Sequence, residues 1–349
     1  MTFILHATNV HVGGGKTLLL ALLKALGKTC SLVQVDARLV LPALPECVSP
    51  VVVMPSYWDR LRAEYLLRRR STAEDIVLCF GNLPPLFPLN GQVFLFLQNR
   101  YLFGRRDMSG FSLRVRVRFA IERLWLRLFL RRNIRVIVQT QSMATELAAE
   151  CGVVARVLPF VDALDVCDKV SCQKKYDFIY VASGEPHKNH RRLIGAFVLL
   201  AKAGLYPSLC LTLDTYADAP LIIWIDSQVN QYGLKVANLG LVSHDRLASL
   251  YRESRALVYP SILESFGLPL IEAQRYGLDI VAAELDYVRD VAVPSQTFDP
   301  NSSVSISRAI RRQLDLDSPV CHPLTAEKFL AEILLADPLR QEQVGDRLR

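Results

Sequence analysis

The segment Tyr259–Gly277, YPSILESFGLPLIEAQRYG, follows a short apolar run that reads as a buried strand, and it decides the fold. Glu264 falls in the loop, and Ser265, Phe266, Gly267 and Leu268 present backbone N–H groups at a helix start. Pro269 suits the first helical turn because that turn has no use for its missing N–H. Such a start attracts a diphosphate through its free amides and dipole. Glu272, eight residues beyond Glu264, lies where a carboxylate can accept both hydroxyls of a ribose. The plainer reading of two glutamates near a helix start is an ordinary acid-enriched N-terminus, so the neighbouring segments must decide.

Upstream, YVASGEPHKNHRRLIGAF (Tyr180–Phe197) repeats the pattern of strand, small-residue loop and helix, and puts His187 and Lys188 at the turn. A lysine there supplies a mobile point charge for a phosphate, whereas an isolated lysine at a helix start is usually only solvated. Strands and helices alternate on both sides of these segments. Strand candidates in the first half are 3–5, 32–35, 51–54, 76–80, 93–97 and 136–139, with a helix from about Thr17 to Leu26 after Gly13-Gly14-Gly15. Those glycines invite a phosphate-loop reading, but G-x-x-x-x-G-K-[ST] would need glycine where Val10 stands. They still allow a ligand, or simply a tight turn, close to the backbone. After a polar stretch at 162–175, the alternation resumes from Phe178. The pattern predicts two doubly wound α/β domains facing across a cleft, with ligands at the carboxyl ends of the strands. The expected boundaries are 1–165, 166–322 and a helical tail over 323–349 that packs back towards the first domain.

Composition narrows the class. A chain of 349 residues with 51% hydrophobic and 21% charged residues is folded and large enough for two cores, not a disordered tail. Eight scattered cysteines without a C-x-x-C pair, and a start without a secretory pattern, fit a reducing cytoplasm. The greasiest runs are broken by Lys24, Lys202 and Pro207, so membrane contact is expected to be peripheral.

The net charge of +7 is local: between Arg100 and Arg135 eleven arginines face only Asp107 and Glu122, giving +9 and leaving −2 elsewhere. FSLRVRVRFAIERLWLRLFLRR reads as a helix with Arg116, Arg123, Arg127 and Arg131 on one face and Val117, Ile121, Leu124 and Leu128 beside it. That is the pattern of a foot on an anionic leaflet. A solvated arginine face on a core helix, or a nucleic-acid surface, would look similar at this level.

Together the Tyr180–Phe197 and Tyr259–Gly277 segments, the intervening NLGLVSHDRLASLYRESRALVYPS and the later FDPNS (Phe298–Ser302) resemble the donor domain of retaining GT-B glycosyltransferases, glycosyltransferase family 4. The resemblance extends over most of 176–300. It implies a GT-B fold and transfer of a hexose or deoxyhexose, of mannose or rhamnose type, from a nucleoside-diphosphate sugar. The implied acceptor is a glycan, lipid-linked, in bacterial surface-polysaccharide synthesis at the inner face of the membrane.

The resemblance further implies that Glu272 holds the ribose, that Glu264 faces the donor sugar or its phosphate, and that Ser265, Phe266, Gly267 and Leu268 cradle the diphosphate. Lys188 would neutralise the leaving group, with no metal and no separate cofactor. The family usually places an arginine shortly before this lysine. Here Ser183-Gly184-Glu185-Pro186 stands instead, and His187 could substitute in part. In the first half Gly13–Gly15 resembles the family's first glycine loop, which approaches donor phosphate and acceptor and would place Gly14 and Gly15 at the donor, and VIVQTQSMATEL (Val136–Leu147) resembles its last N-domain strand and helix. Gln98 and Asn99, in FLQNRYLF, stand where many members have an acceptor-cleft histidine. A GT-B phosphorylase, a sugar-nucleotide epimerase and a non-catalytic polyanion-binding protein are the alternatives.

Overall fold

The computed structural model describes residues 2–26, 30–44, 48, 50–103, 108, 111–161 and 173–316. The expected domain boundary near 165 and the tail over 323–349 lie outside them. In chain order the first half runs β1 (Phe3–Ala7), α1 (Gly13–Ala25), β2 (Cys30–Asp36), β3 (Pro50–Val53), α2 (Tyr57–Arg70), β4 (Ile76–Phe80), β5 (Gln92–Phe96), α3 (Leu113–Phe129), β6 (Ile134–Val138), α4 (Gln141–Cys151) and β7 (Ala155–Val157). The second runs β8 (Tyr176–Tyr180), α5 (His190–Lys202), β9 (Ser208–Leu211), α6 (Ala219–Tyr232), β10 (Lys235–Asn238), α7 (His244–Glu253), β11 (Ser254–Tyr259), α8 (Leu268–Arg275), β12 (Asp279–Ala283), α9 (Asp286–Arg289), β13 (Gln296–Phe298) and α10 (Ser303–Gln313).

Each half builds one sheet. The orders are β3-β2-β1-β4-β5-β6-β7 and β10-β9-β8-β11-β12-β13, and every described strand pair is parallel. Parallel strands covered by helices on both faces must be apolar throughout, which is why FILHA and SRALVY are almost wholly buried. The strand order reverses beside β1 in the first sheet and beside β8 in the second. Loops at such a reversal point diverge and leave a crevice. The Gly13–Gly15 turn and the loop after β4 therefore open at one crevice, and the loops after β8 and β11 at the other. The two domains face each other across a cleft, and ring contacts and hydrogen bonds cross between them.

Two local expectations are corrected. Helix α1 begins at Gly13, four residues before the expected Thr17, so the glycines form its first turn and are not a loop ahead of it. In α3 the four expected arginines do not share a solvent face. Arg123 turns inward, its Nε donating to the Tyr101 carbonyl at 2.7 Å, and Arg131, just past the helix end, donates to the carbonyls of Pro85 and Leu86 at 3.1 and 2.9 Å. Guanidinium forks satisfy carbonyls that would otherwise be stranded in loops, and that demand overrides helical periodicity. The exposed face instead carries Leu113, Val117, Ile121, Leu124 and Leu128, 50–74% accessible, between Arg114 and Arg118 on one side and Arg116 and Arg127 on the other.

Candidate functional site

A cleft of 1940 Å³ lies between the domains and is lined from both. It brings together Gly14, Gly15, Gln98, Asn99, His187, Lys188, Glu264, Ser265, Phe266, Gly267, Leu268 and Glu272, the whole set of sequence-predicted site residues.

On its C-terminal side the two reversal loops are knitted into one surface. The 3-10 turn Pro186–Lys188 is held by Ile262 N–H and the Ser261 hydroxyl, both donating to the His187 carbonyl at 2.8 and 3.2 Å, and by the Tyr180 hydroxyl donating to the Lys188 carbonyl at 2.7 Å. Asn189, at φ 62°, sends its amide to the carbonyls of Pro260 and Pro300, so the FDPNS element braces this turn. The bracing delivers the Lys188 Nζ to Glu264 Oε1 at 2.6 Å, where the Tyr259 hydroxyl also donates at 2.9 Å. Both charged side chains are largely buried, 16% and 11% accessible. Burial opposes ionisation of Glu264, but the adjacent Lys188 charge and its hydrogen bond outweigh burial and hold the carboxyl below its ordinary range.

Helix α8 starts at Leu268 after Gly267, whose φ of 72° is the left-handed conformation glycine accepts without strain. Its N-terminus opens into the cleft, and Glu272 lies one turn inside. Burial pushes the Glu272 carboxyl up, while the Tyr251 hydroxyl, donating to Oε2 at 2.7 Å, favours the charged form. One carboxylate oxygen is thereby fixed by α7, with the other oxygen beside it on a residue lining the cleft.

His187 lies beside Lys188, where the missing arginine would be expected to act. Burial, then the adjacent Lys188 charge, push its imidazole down, and its ring packs against Tyr101 and Phe111 at 5.6 and 6.4 Å. On the N-terminal side, a Cβ at Gly14 would stand 3.3 Å from Leu268 Cδ1 and one at Gly15 3.2 Å from Gln98 Oε1. Gly14 thus allows close approach of α8 and Gly15 that of Gln98, a packing need in addition to any ligand. Asn99 caps the 3-10 turn Arg100–Leu102, its side chain accepting from Tyr101 N–H at 2.9 Å. Gln98 differs: its Nε2 is buried without a partner among the described residues.

The same is true of Arg60 Nε, Gln139 Nε2 and His187 Nδ1, all on cleft-lining residues. Stranded polar atoms of this kind are rare in protein interiors and are relieved by a polar ligand or water. Sequence reasoning passed over Arg60, Gln139, Tyr251 and Tyr259, because single residues on helices and at strand ends carry no motif. Among the described residues, no cluster of three or more His, Cys, Asp or Glu side chains could hold a metal ion, and no helix is long and apolar enough to cross a membrane.

Known proteins share this architecture. The family model described as Glycosyl transferases group 1 matches residues 168–325. O-antigen chain mannosyltransferase B of Escherichia coli is 32% identical over 152 residues, 40% of this chain and 37% of that protein. The 2-deoxystreptamine glucosyltransferase of Streptomyces kanamyceticus is 26% identical over 225 residues, 58% of this chain and 57% of that one. The chain thus spans less than two thirds of the curated relatives it matches. Among solved structures, WaaG, a glycosyltransferase involved in lipopolysaccharide biosynthesis, superposes with a TM-score of 0.66 at 13% identity over 90% of both chains. Anabaena HepE, solved with UDP-glucose, gives 0.61 at 15% identity over 90% of both. The chain has the GT-B fold of these glycosyltransferases, and its second domain is the part that matches the Glycosyl transferases group 1 model.

Proposed function

We propose that the protein is a retaining glycosyltransferase that moves a hexose or deoxyhexose, of mannose type, from a nucleoside-diphosphate sugar to a lipid-linked glycan of a bacterial surface polysaccharide. The observation that carries this reading is the convergence of Lys188, Glu264, Glu272 and the α8 N-terminus on one cleft at the reversal point of the second sheet. The relatives named as O-antigen mannosyltransferases support the sugar class and the setting.

In this reading Glu272, steadied by Tyr251, accepts the ribose hydroxyls, and the backbone from Ser265 to Leu268 meets the diphosphate. Lys188 exchanges Glu264 for the diphosphate oxygens as negative charge grows on the leaving group, and no metal is required of the site. The bond from the anomeric carbon to the phosphate oxygen breaks while the bond to the acceptor oxygen forms on the same face. The departing phosphate takes the acceptor's hydroxyl proton. A glycosidase-type nucleophile pair is unnecessary, and the protein contributes positioning and charge. The exposed apolar stripe of α3, flanked by arginines, is the surface we assign to an anionic membrane, each basic residue adding about 1 kcal/mol near the leaflet.

The test is incubation with UDP-, GDP- and dTDP-hexoses and a lipid-linked oligosaccharide acceptor, following nucleoside diphosphate release and the anomeric configuration of the product. Equimolar diphosphate and a product of retained configuration are expected. Inversion, or no transfer from any of the three donors, overturns the proposal.

A further inference from the structure

In the stretch FLQNRYLF the two residues after Gln98 and Asn99, Arg100 and Tyr101, make contacts between the domains. Arg100, in the turn capped by Asn99, has a largely buried side chain, 12% accessible. Its Nε and Nη2 donate to Glu146 Oε2 of α4 at 2.9 and 2.7 Å, and its Nη1 crosses the cleft to the backbone carbonyl of Glu264 at 2.9 Å. Tyr101 places its ring edge-on to His187, the neighbour of Lys188. One N-domain turn therefore touches both loops that carry the Lys188–Glu264 pair.

The surrounding contacts show how far the donor loop depends on the opposite domain. Leu263 packs into the N-domain cluster of Leu95, Tyr101 and Phe119, and Leu268 into that of Val10, Leu18 and Phe96. The Thr140 hydroxyl donates to the Ser265 carbonyl at 3.3 Å, and Ser142 N–H, in the first turn of α4, donates to Asp290 Oδ2 at 2.9 Å. Loop residues 263–268 thus belong to the second domain by sequence and to both domains by packing. A buried arginine with a charge partner on its own side and a neutral carbonyl on the other is held by Glu146 and spends its remaining donors on geometry.

We infer that Arg100 is a positioning residue: by clasping the Glu264 carbonyl from the opposite domain, it sets the Lys188–Glu264 geometry, so that domain closure and assembly of the donor site are one event. The inference rests on the reading of this cleft as the donor site. Its consequence is a split between binding and turnover. The nucleoside is held by Glu272 on α8, away from the clasp, whereas Lys188 and Glu264 act at the diphosphate and sugar. A displacement of about 1 Å there costs on the order of 100-fold in rate.

Two readouts test it on the full-length chain with Arg100→Met and Arg100→Lys. The first needs no substrate: pulse acylation of lysines, quantified by mass spectrometry, with exposed Lys175 as internal standard. Freed of the clasp, Lys188 is expected to label about tenfold faster in Arg100→Met and less so in Arg100→Lys, with Lys175 unchanged. Equal labelling of Lys188 in wild type and variant overturns the clasp, and a parallel rise at both lysines reduces Arg100 to a general structural role and overturns it equally. The second readout compares the Kd for UMP and GMP, which carry the ribose that Glu272 holds but lack the β-phosphate, with kcat for transfer. Affinity within about threefold and kcat lowered by on the order of 100-fold support the inference, while parallel losses overturn it. A wild type that transfers no sugar defeats the proposed function, and the labelling arm still decides the clasp.

Discussion

The two domains share one strand order, to which the first adds β7 at its edge, yet they place their charged groups differently. At the reversal point of the C-terminal sheet, the loops carry Lys188 and Glu264, tied to each other and braced by Asn189, Tyr180 and Tyr259. At the corresponding point of the N-terminal sheet the loop after β1 leads into three glycines that form the first turn of α1, and Gly14 and its neighbours are the packing surface for Leu268. Arginines and exposed apolar side chains concentrate instead on α3, part of which, Arg114, Val117, Arg118 and Ile121 included, lines the cleft. Two buried histidines repeat the contrast. His6, in the first domain, bonds to Gln34 at 2.6 Å and lies 3.3 Å from Glu64; burial opposes its charge, but these partners outweigh burial and raise it. His190, in the second, has no partner at either ring nitrogen among the described residues, and burial, then Lys188 and His187, push it down to about 3. One fold has been used once to hold a charged site in place and once to offer surfaces.

The largest expected effect follows from the first contrast. Lys188→Ala should cut transfer by on the order of 100- to 1,000-fold with a smaller loss of nucleoside diphosphate affinity. Glu272→Ala should do the reverse, raising the Kd about tenfold through the lost ribose contacts. Calorimetric titration beside steady-state kinetics separates the two, and equal behaviour of both variants would dissolve the division of labour inside the C-terminal domain.

The histidines give the next effect. His190 titrates near 6.5 when unfolded and near 3 when folded, so the native state binds fewer protons between these values. Its contribution is intact above about pH 6.5 and is lost as pH falls towards 3. His6, raised, has the opposite sign: its contribution is present at low pH and is lost as pH rises through its folded value. Acid should therefore weaken the C-terminal domain first. Between pH 6.5 and 4.5 His190→Phe should spare about 2 kcal/mol of that loss, read from denaturant melts at the two pH values. An unchanged pH dependence would show that His190 finds a proton acceptor on acidification.

The smallest effect concerns the N-terminal surface. Replacing exposed Leu124 and Leu128, which do not line the cleft, with aspartate should lower co-sedimentation with anionic vesicles about tenfold, most visibly at high salt, with nucleotide affinity unaltered. Arg123→Gln and Arg131→Gln should instead destabilise the fold, because those side chains serve the carbonyls of Tyr101, Pro85 and Leu86. Vesicle binding that depends on Arg123 and Arg131 but not on the apolar stripe would reverse this assignment.

Much of the C-terminal domain was legible in the sequence because its chemistry and its local structure use the same residues. Gly267, Leu268 and Pro269 signal a helix start and also build the surface presented to the cleft. In the first domain strand β4 falls at the expected Ile76–Phe80 because its run is uniformly apolar. β7 was not anticipated: three half-exposed residues, ARV, give too little pattern to register. The arginine face of α3 failed for a different reason. Periodicity places a side chain on a face of the helix but does not reveal which loop carbonyls lie beyond it.

By itself, the sequence determined two βα-alternating domains, a helix start flanked by two carboxylates, a lysine at the matching turn and the confinement of positive charge to 100–135, since all of these follow from local pattern and residue chemistry. Only the tertiary structure decided which groups meet: Lys188 with Glu264 across 76 residues, Tyr251 with Glu272, and Arg100 with the Glu264 carbonyl across 164. The physical reason is that hydrogen bonds act over about 3 Å, whereas helical and strand periods constrain only neighbours along the chain. Which distant partners come within that range is settled when the two sheets close on each other.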